Sequence, residues 1–351
     1  MKKQCLFLLA MSLLCASQLC AQGASSATAP NANKITIDLV PVGDPNNYSD
    51  ALGVPGGISF GSVPTEYQIG KYDVTAEQYC AFLNAVASKS DPHLLYNINM
   101  TTDPDVACIT RSGDETTGYS YQPISDYCKK LPITYVNWFS TSRFCNWLEN
   151  GQPIGEETIG TTESGAYARD AQGVFYLVAN SKWNLPTEDQ WYKAAYYVPA
   201  KYEWSYLSLS YYIESDAYYY SFATSSYTPP SNDLLTPDAP NGANYCLNGV
   251  FTTPTQPRLT PVGTFINSTS PCGAYDMAGN VNQWTTTPLA NDRSKLVVRG
   301  GSWASTNFQD LRFSHASFVH ATTSSSTLGF RIVYNVAPAP EKKNSWWQWP
   351  W

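Results

Sequence analysis

Apolar and polar residues alternate with a period of two over Ile35–Val42 and again over Tyr67–Val74, with Gly and Pro punctuating the stretch between them. That pattern predicts two strands joined by a loop. The period then lengthens. Thr75 precedes Gln78 by three positions, the spacing of a capping box, and Tyr79, Phe82, Leu83 and Val86 follow at helical intervals. A second helix is expected from about Trp138 to Glu149, where Phe144, Trp147 and Leu148 share a face and Asn150-Gly151 supplies the stop. A third begins at Thr187, again with Gln three residues on, and turns Trp191, Ala194 and Ala195 inward. Beyond residue 200 helical spacing almost disappears. Short runs such as Leu296–Arg299 and Gly329–Tyr334 read as strands between long Ser, Thr, Asn, Pro and Gly stretches that read as structured loops.

The ends of the chain have a different character. Lys2-Lys3, an apolar run from Leu6 to Leu14 and the small-residue site around Leu19-Cys20-Ala21 predict a secretory signal peptide over residues 1–21. Cys15 and Cys20 each follow a Leu where lipidation needs a small residue, so no lipid anchor is expected. A polar leader over 22–33, a domain over 34–336 and a Trp-rich tail over 337–351 complete the expected layout. No later run approaches the roughly 18 apolar residues of a membrane span, so the expectation is an exported protein, periplasmic, extracellular or at the cell surface.

Composition narrows the partners. The 351 residues carry 21 Lys plus Arg against 28 Asp plus Glu, and no basic block is present, which leaves no electrostatic footprint for a nucleic acid. Aromatic residues reach 14%, enough bulky apolar surface to argue against disorder. Tyr and Ser crowd residues 196–227, a composition that serves as a contact surface in paratopes and serves equally as an insert packing its rings on the domain. The closing Trp346-Trp347-Gln348-Trp349-Pro350-Trp351 suits contact at a lipid interface or a sticky tail. With the signal removed, Cys80, Cys108, Cys128, Cys145, Cys246 and Cys272 remain. An even number in an oxidising compartment, without a CxxC pair, predicts disulfides rather than zinc.

Five separated blocks carry a family resemblance: YQIGKYDVTAEQYCAFLNAVA at 67–87, LPITYVNWFSTSRFCNWL at 131–148, WNLPTEDQWYKAAYY at 183–197, PVGTF with CGAYDMAGNVNQW between 261 and 284, and VVRGGSW with LGFRIV. In their order they resemble the formylglycine-generating enzyme or sulfatase-modifying factor domain from about Tyr67 to Tyr334. The resemblance implies an α+β domain with a C-type-lectin-like fold, few short helices, short strands and long loops. It also implies oxidation of a sulfatase cysteine by a cysteine pair and a thiolate-bound copper ion. At the two positions expected for that pair this chain has Ser305 and Asp310. A hydroxyl and a carboxylate are hard ligands that neither select cuprous copper nor relay a thiol, so copper and the family oxidation are not expected. Ser302 matches the family, whereas Asn282 and Gln283 replace the first Trp and the Glu of its GN-x-W-E-W run.

The resemblance extends to calcium sites, matched by Asn244 and Tyr245 at one and by Asp276, Gly279, Val281 and Gln283 at the other. Calcium wants six to eight oxygens, and the second set keeps one carboxylate, so calcium is carried as the only cofactor expectation. The three histidines His93, His315 and His320 would have to meet for a three-histidine iron site, and a Ser302, His315 and Asp310 triad lacks a nucleophile-elbow pattern; neither is expected. The leading expectation is an exported module that binds a peptide, a glycan or another exported protein. Its groove would be formed by Ser302, Ser305, Asp310 and Arg312, with Ser324–Thr327, Asn282 and the Tyr-rich insert beside it. The alternatives are a divergent oxidase or metal-dependent oxidoreductase of the same family, and a structural envelope component.

Overall fold

The computed structural model describes residues 34–50, 59–171, 173–199, 202–204, 211–213, 218–236 and 239–336. The expected signal peptide, leader and Trp-rich tail lie outside the described residues, as does part of the Tyr-rich insert. Among the described residues no helix is long and apolar enough to cross a membrane.

Helix α1 spans Ala76–Val86 and starts where the capping box places it: Gln78 N–H donates to Thr75 Oγ1 at 3.3 Å and Thr75 N–H to Gln78 Oε1 at 3.0 Å. Its next neighbours in sequence are two single-turn helices absent from the sequence reading, α2 (Asn99–Thr102) and α3 (Asp126–Lys129). Four residues are too few to show a helical period. Helix α4 runs Trp138–Glu149, as expected, and ends at Asn150 and the left-handed Gly151 (φ 81°). Helix α5 (Glu188–Tyr196) repeats the capping box with Thr187 and Gln190. The α1 and α4 faces meet ring to ring, Phe82 lying 5.3 Å from both Phe144 and Trp147, and Phe144 5.3 Å from Phe330. A second apolar cluster surrounds α5, where Trp191, Tyr192 and Tyr196 pack with Tyr67, Ile69 and Leu311.

Two four-stranded sheets frame these helices. In the first, Tyr67–Gly70 lies between Leu39–Val42 and Val333–Asn335, and Trp183–Asn184 closes the far edge, all antiparallel. In the second, the long hairpin Asn282–Leu289 and Asp292–Arg299 is flanked by Ser317–His320 and, in parallel, by Leu328–Gly329.

Several strand boundaries differ from the sequence reading. Ile35–Val42 is strand only from Leu39, and Tyr67–Val74 stops at Gly70, where a Cβ would stand 2.9 Å from Tyr72 O. The apparent strand Gly329–Tyr334 is two: Leu328–Gly329 joins the second sheet and Val333–Asn335 the first. The hairpin Ile109–Asp114 with Gly118–Pro123 was also missed, because half of its residues are exposed and its first strand has one apolar residue, Ile109.

The cysteines require a correction. All six expected to pair are free thiols. Five are buried and Cys272 is half-buried, and burial pushes the Cys80 thiol up to about 12 and raises those of Cys108, Cys145 and Cys272. Such thiols behave as small core hydrophobes.

Candidate functional site

The loop that carries the expected site leaves the second sheet at Gly300-Gly301, both left-handed with φ 102° and 72°. A Cβ on Gly301 would lie 3.0 Å from Leu311 Cδ1 and 3.2 Å from Ser305 Oγ, so this reversal requires glycine. Beyond it the chain folds on itself. Ser302 N–H donates to Ser305 Oγ at 3.1 Å, Ser305 N–H to Ser302 O at 3.0 Å, and Ala304 N–H to Ser302 Oγ at 3.3 Å. Asn307 caps the 3-10 turn Phe308–Leu311 by accepting from Gln309 N–H at 2.9 Å.

Three other segments are drawn to this loop. Trp303 indole N–H donates to Ser326 O at 3.0 Å, which sets Ser324–Thr327 beside the loop, and Asn282 N–H donates in turn to Thr327 O at 2.8 Å. The described end of the Tyr-rich insert reaches it too: Phe222 bridges Arg312, and Phe313 N–H donates to Ser221 O at 3.1 Å. The Arg312 guanidinium stacks on Phe313 at 5.2 Å. Among the described residues neither Arg312 nor the Asp310 carboxylate has an ion-pair partner.

Cys246, read from the sequence only as a disulfide candidate, adjoins this loop, for its N–H donates to Ser305 O at 2.9 Å. Nothing in the spacing of positions 246 and 305 signals that contact. The copper that the family resemblance implies does not fit the expected ligand positions, which offer a serine hydroxyl already accepting a backbone N–H and a carboxylate.

The calcium set is likewise engaged. Gln283 Oε1 accepts from Trp191 Nε1–H at 2.7 Å and from Arg331 Nε–H at 3.1 Å, while Gln283 Nε2–H donates to Asp276 O at 2.8 Å. Asp276 Oδ2 accepts from Gly263 N–H at 2.7 Å. Gly279 N–H donates to Gly300 O at 2.8 Å, and Val281 is in the core. The positive charge beside Gln283 is the Arg331 guanidinium, so this set as arranged does not fit a divalent cation. At the other set, Asn244 Nδ2–H donates to Arg258 O and Asn280 Oδ1, each at 3.0 Å, and Tyr245 is buried with its hydroxyl on Pro230 O.

Burial raises the Asp276 carboxyl to about 6, against the Gly263 hydrogen bond and Arg331, which favour the charge. A carboxyl raised on folding contributes stability that is full below its ordinary value and lost as pH rises through the folded one. Asp276→Asn, which keeps the acceptor and tolerates the left-handed φ of 55°, should therefore gain on the wild type between about pH 4 and 6, by on the order of 1–2 kcal/mol. Urea unfolding across that range checks it; a pH-independent difference would refute it.

The histidines do not meet. His315 Nε2 pairs with Ser317 Oγ and His320 Nδ1 with Ser294 Oγ, each at 3.2 Å, whereas His93 faces Glu157 and Glu163. His315 therefore takes no part with Ser302. The carboxylates beside His93 lie some sixty to seventy residues downstream and escaped a reading that weighed His93 only against the other two histidines.

The ordered blocks, the two small sheets and the glycine-led loop define one family. Residues 62–336 match the sulfatase-modifying factor enzyme 1-like domain, and the chain belongs to that family. Its fold is similar to that of Treponema denticola variable protein 1, with a TM-score of 0.50 and 17% identity over 87% of this chain and 98% of that one. It is similar also to CarF, with a TM-score of 0.50 and 18% identity over 86% and 99% of the two chains. No curated protein matches the chain.

Proposed function

We propose that this chain is an exported binding member of its family, without the thiol and copper oxidation, and that the loop cluster around Ser302–Arg312 takes a peptide or a glycan on a partner protein. The observation that carries this reading is the pair Ser305 and Asp310 at the positions expected for the cysteines, with the Ser305 hydroxyl held by Ser302 N–H. Two fixed opposite charges, Asp310 and Arg312, stand two residues apart on a loop anchored at Gly301, Asn307 and Phe222. Such a rigid frame with unneutralised groups suits a ligand that brings both a cationic and an anionic group.

The test uses the chain from Gln22 onward. On peptide and glycan arrays, binding should fall at least about tenfold for Asp310→Ala with Arg312→Ala, in line with the loss of charge-assisted hydrogen bonds. With cuprous copper and a cysteine peptide no oxygen should be consumed. Oxygen consumption that disappears in Cys246→Ser would overturn the reading and restore an oxidase using the cysteine beside Ser305.

A further inference from the structure

Away from that loop, three segments converge on a histidine. His93 lies in the connection after α1, Glu157 and Glu163 in the loop between α4 and Tyr167, and Arg143 on α4. His93 Nδ1 is 2.8 Å from Glu157 Oε2, and His93 Nε2 is 3.4 Å from Glu163 Oε2. One ligand atom from each of the three lies within 4.8 Å of the others. The loop is held by its backbone: Gly155 N–H donates to Ala85 O at 3.0 Å, Asn146 Nδ2–H to Thr162 O at 2.7 Å, and Asn150 Nδ2–H to Thr161 O at 3.0 Å. The carboxylates are thus placed by α1 and α4 rather than by a mobile tip.

The charges do not balance. Arg143 grips Glu163 through two hydrogen bonds of 2.6 and 3.0 Å, and Arg169 adds a third at 3.2 Å, so both guanidiniums are committed to Glu163. Glu157 has no cation of its own. Its side chain is wholly buried, its Oε1 has no donor, and the Asp91 carboxyl beside it adds a second negative charge with which it can share only a proton. The Asp91 oxygens accept from Leu95 N–H and Tyr96 N–H at 2.7 and 2.9 Å. A buried carboxylate with one oxygen on the imidazole and the other without a donor calls for a positive ion or a proton.

We propose that His93 and Glu157 bind a first-row divalent cation of the zinc class, with Glu163 as the positioning residue that fixes the imidazole. An imidazole gives a metal one lone pair. With Nδ1 on the ion, Nε2–H remains to donate to Glu163, the carboxylate–histidine–metal arrangement that orients a ligating ring. One nitrogen and carboxylate oxygens suit zinc and its neighbours better than calcium, which takes oxygen alone. The His93 ring is 28% exposed, leaving a side from which the ion enters and water completes its shell.

The experiment is zinc titration of the metal-stripped chain from Gln22 onward, followed by calorimetry and by the ring ¹⁵N shifts of its three histidines. The expected result is one site at which His93 Nδ1 alone shifts, with affinity at least about tenfold weaker in His93→Ala and in Glu157→Gln. Glu157→Gln removes a buried charge and keeps the shape, so its fold should survive, and circular dichroism verifies this. Glu163→Gln should weaken binding less than Glu157→Gln. Absence of the His93 shift, or zinc affinity unchanged in both His93→Ala and Glu157→Gln, would overturn the proposal; in the first case a shared proton between Glu157 and Asp91 would account for the pair. Neither outcome touches the reading of the Ser302–Arg312 loop.

Discussion

Replacing Arg331 by Met should destabilise the protein by about 3–5 kcal/mol at neutral pH, the usual result of removing one partner from a buried ion pair. The guanidinium is fully buried and each of its three nitrogens donates. Nε–H donates to Gln283 Oε1, Nη1–H to Gly70 O at 2.6 Å, and Nη2–H to Tyr275 O at 2.6 Å and Asp73 Oδ1 at 3.3 Å. Gly70 belongs to the first sheet and Gln283 to the second, so one side chain ties the two together. Without it Asp73, itself wholly buried with Oδ2 unpartnered, has no counter-charge. Burial already outweighs Arg331 and raises the Asp73 pKa. In the variant that carboxyl must fold protonated, so the deficit should shrink as pH falls toward the ordinary carboxylate value. Arg331→Met combined with Asp73→Asn should recover part of the loss. Urea denaturation at two pH values measures all of this, and a deficit below about 1 kcal/mol would show the network to be incidental.

Gly279→Ala should cost about 3 kcal/mol, from left-handed strain and overpacking together. Gly279 has φ 77°, and a Cβ there would stand 2.3 Å from the backbone oxygen of Asn244. That neighbour cannot step aside, because Asn244 O also accepts from Asn280 N–H at 2.8 Å and the Asn244 amide holds Asn280 Oδ1. Gly279 N–H in turn donates to Gly300 O, the start of the Ser302–Arg312 loop. The substitution should therefore weaken ligand binding at that loop as well as lower the midpoint of thermal unfolding. Gly173, whose φ is similar at 79° but whose Cβ would meet nothing, serves as the control and should lose only the strain component. Equal losses at Gly173 and Gly279 would disprove the close-approach explanation.

The legibility of the fold follows the range of the interactions that make it. Thr75 and Gln78, or Thr187 and Gln190, settle a helix start between residues three apart, so both capping boxes could be read directly and both are present. The same holds for the α4 stop at Asn150-Gly151, and the five ordered blocks sufficed for the family. The substitutions Ser305 and Asp310 were equally plain, since residue identity needs no geometry.

Other features depend on groups far apart in the chain. Gly329–Tyr334 reads as one strand in the sequence, yet the chain crosses there from one sheet to the other because Asn282 takes Leu328 as a parallel partner while Ile69 takes Val333. Arg331 sits at that crossing and is buried because four acceptors, two on strands of the two sheets and two on loops, surround it. The cysteine count suggested bridges, but pairing needs proximity and direction, which only packing sets. Likewise Cys246 meets Ser305, and His93 meets Glu157 and Glu163, through contacts that span tens of residues. Local hydrogen bonds and residue chemistry are written along the chain and determined the three longer helices and the family. The side chains that share a charge or a ligand were decided by the tertiary structure alone, because burial removes water as a partner and leaves each polar group only the neighbours the fold supplies.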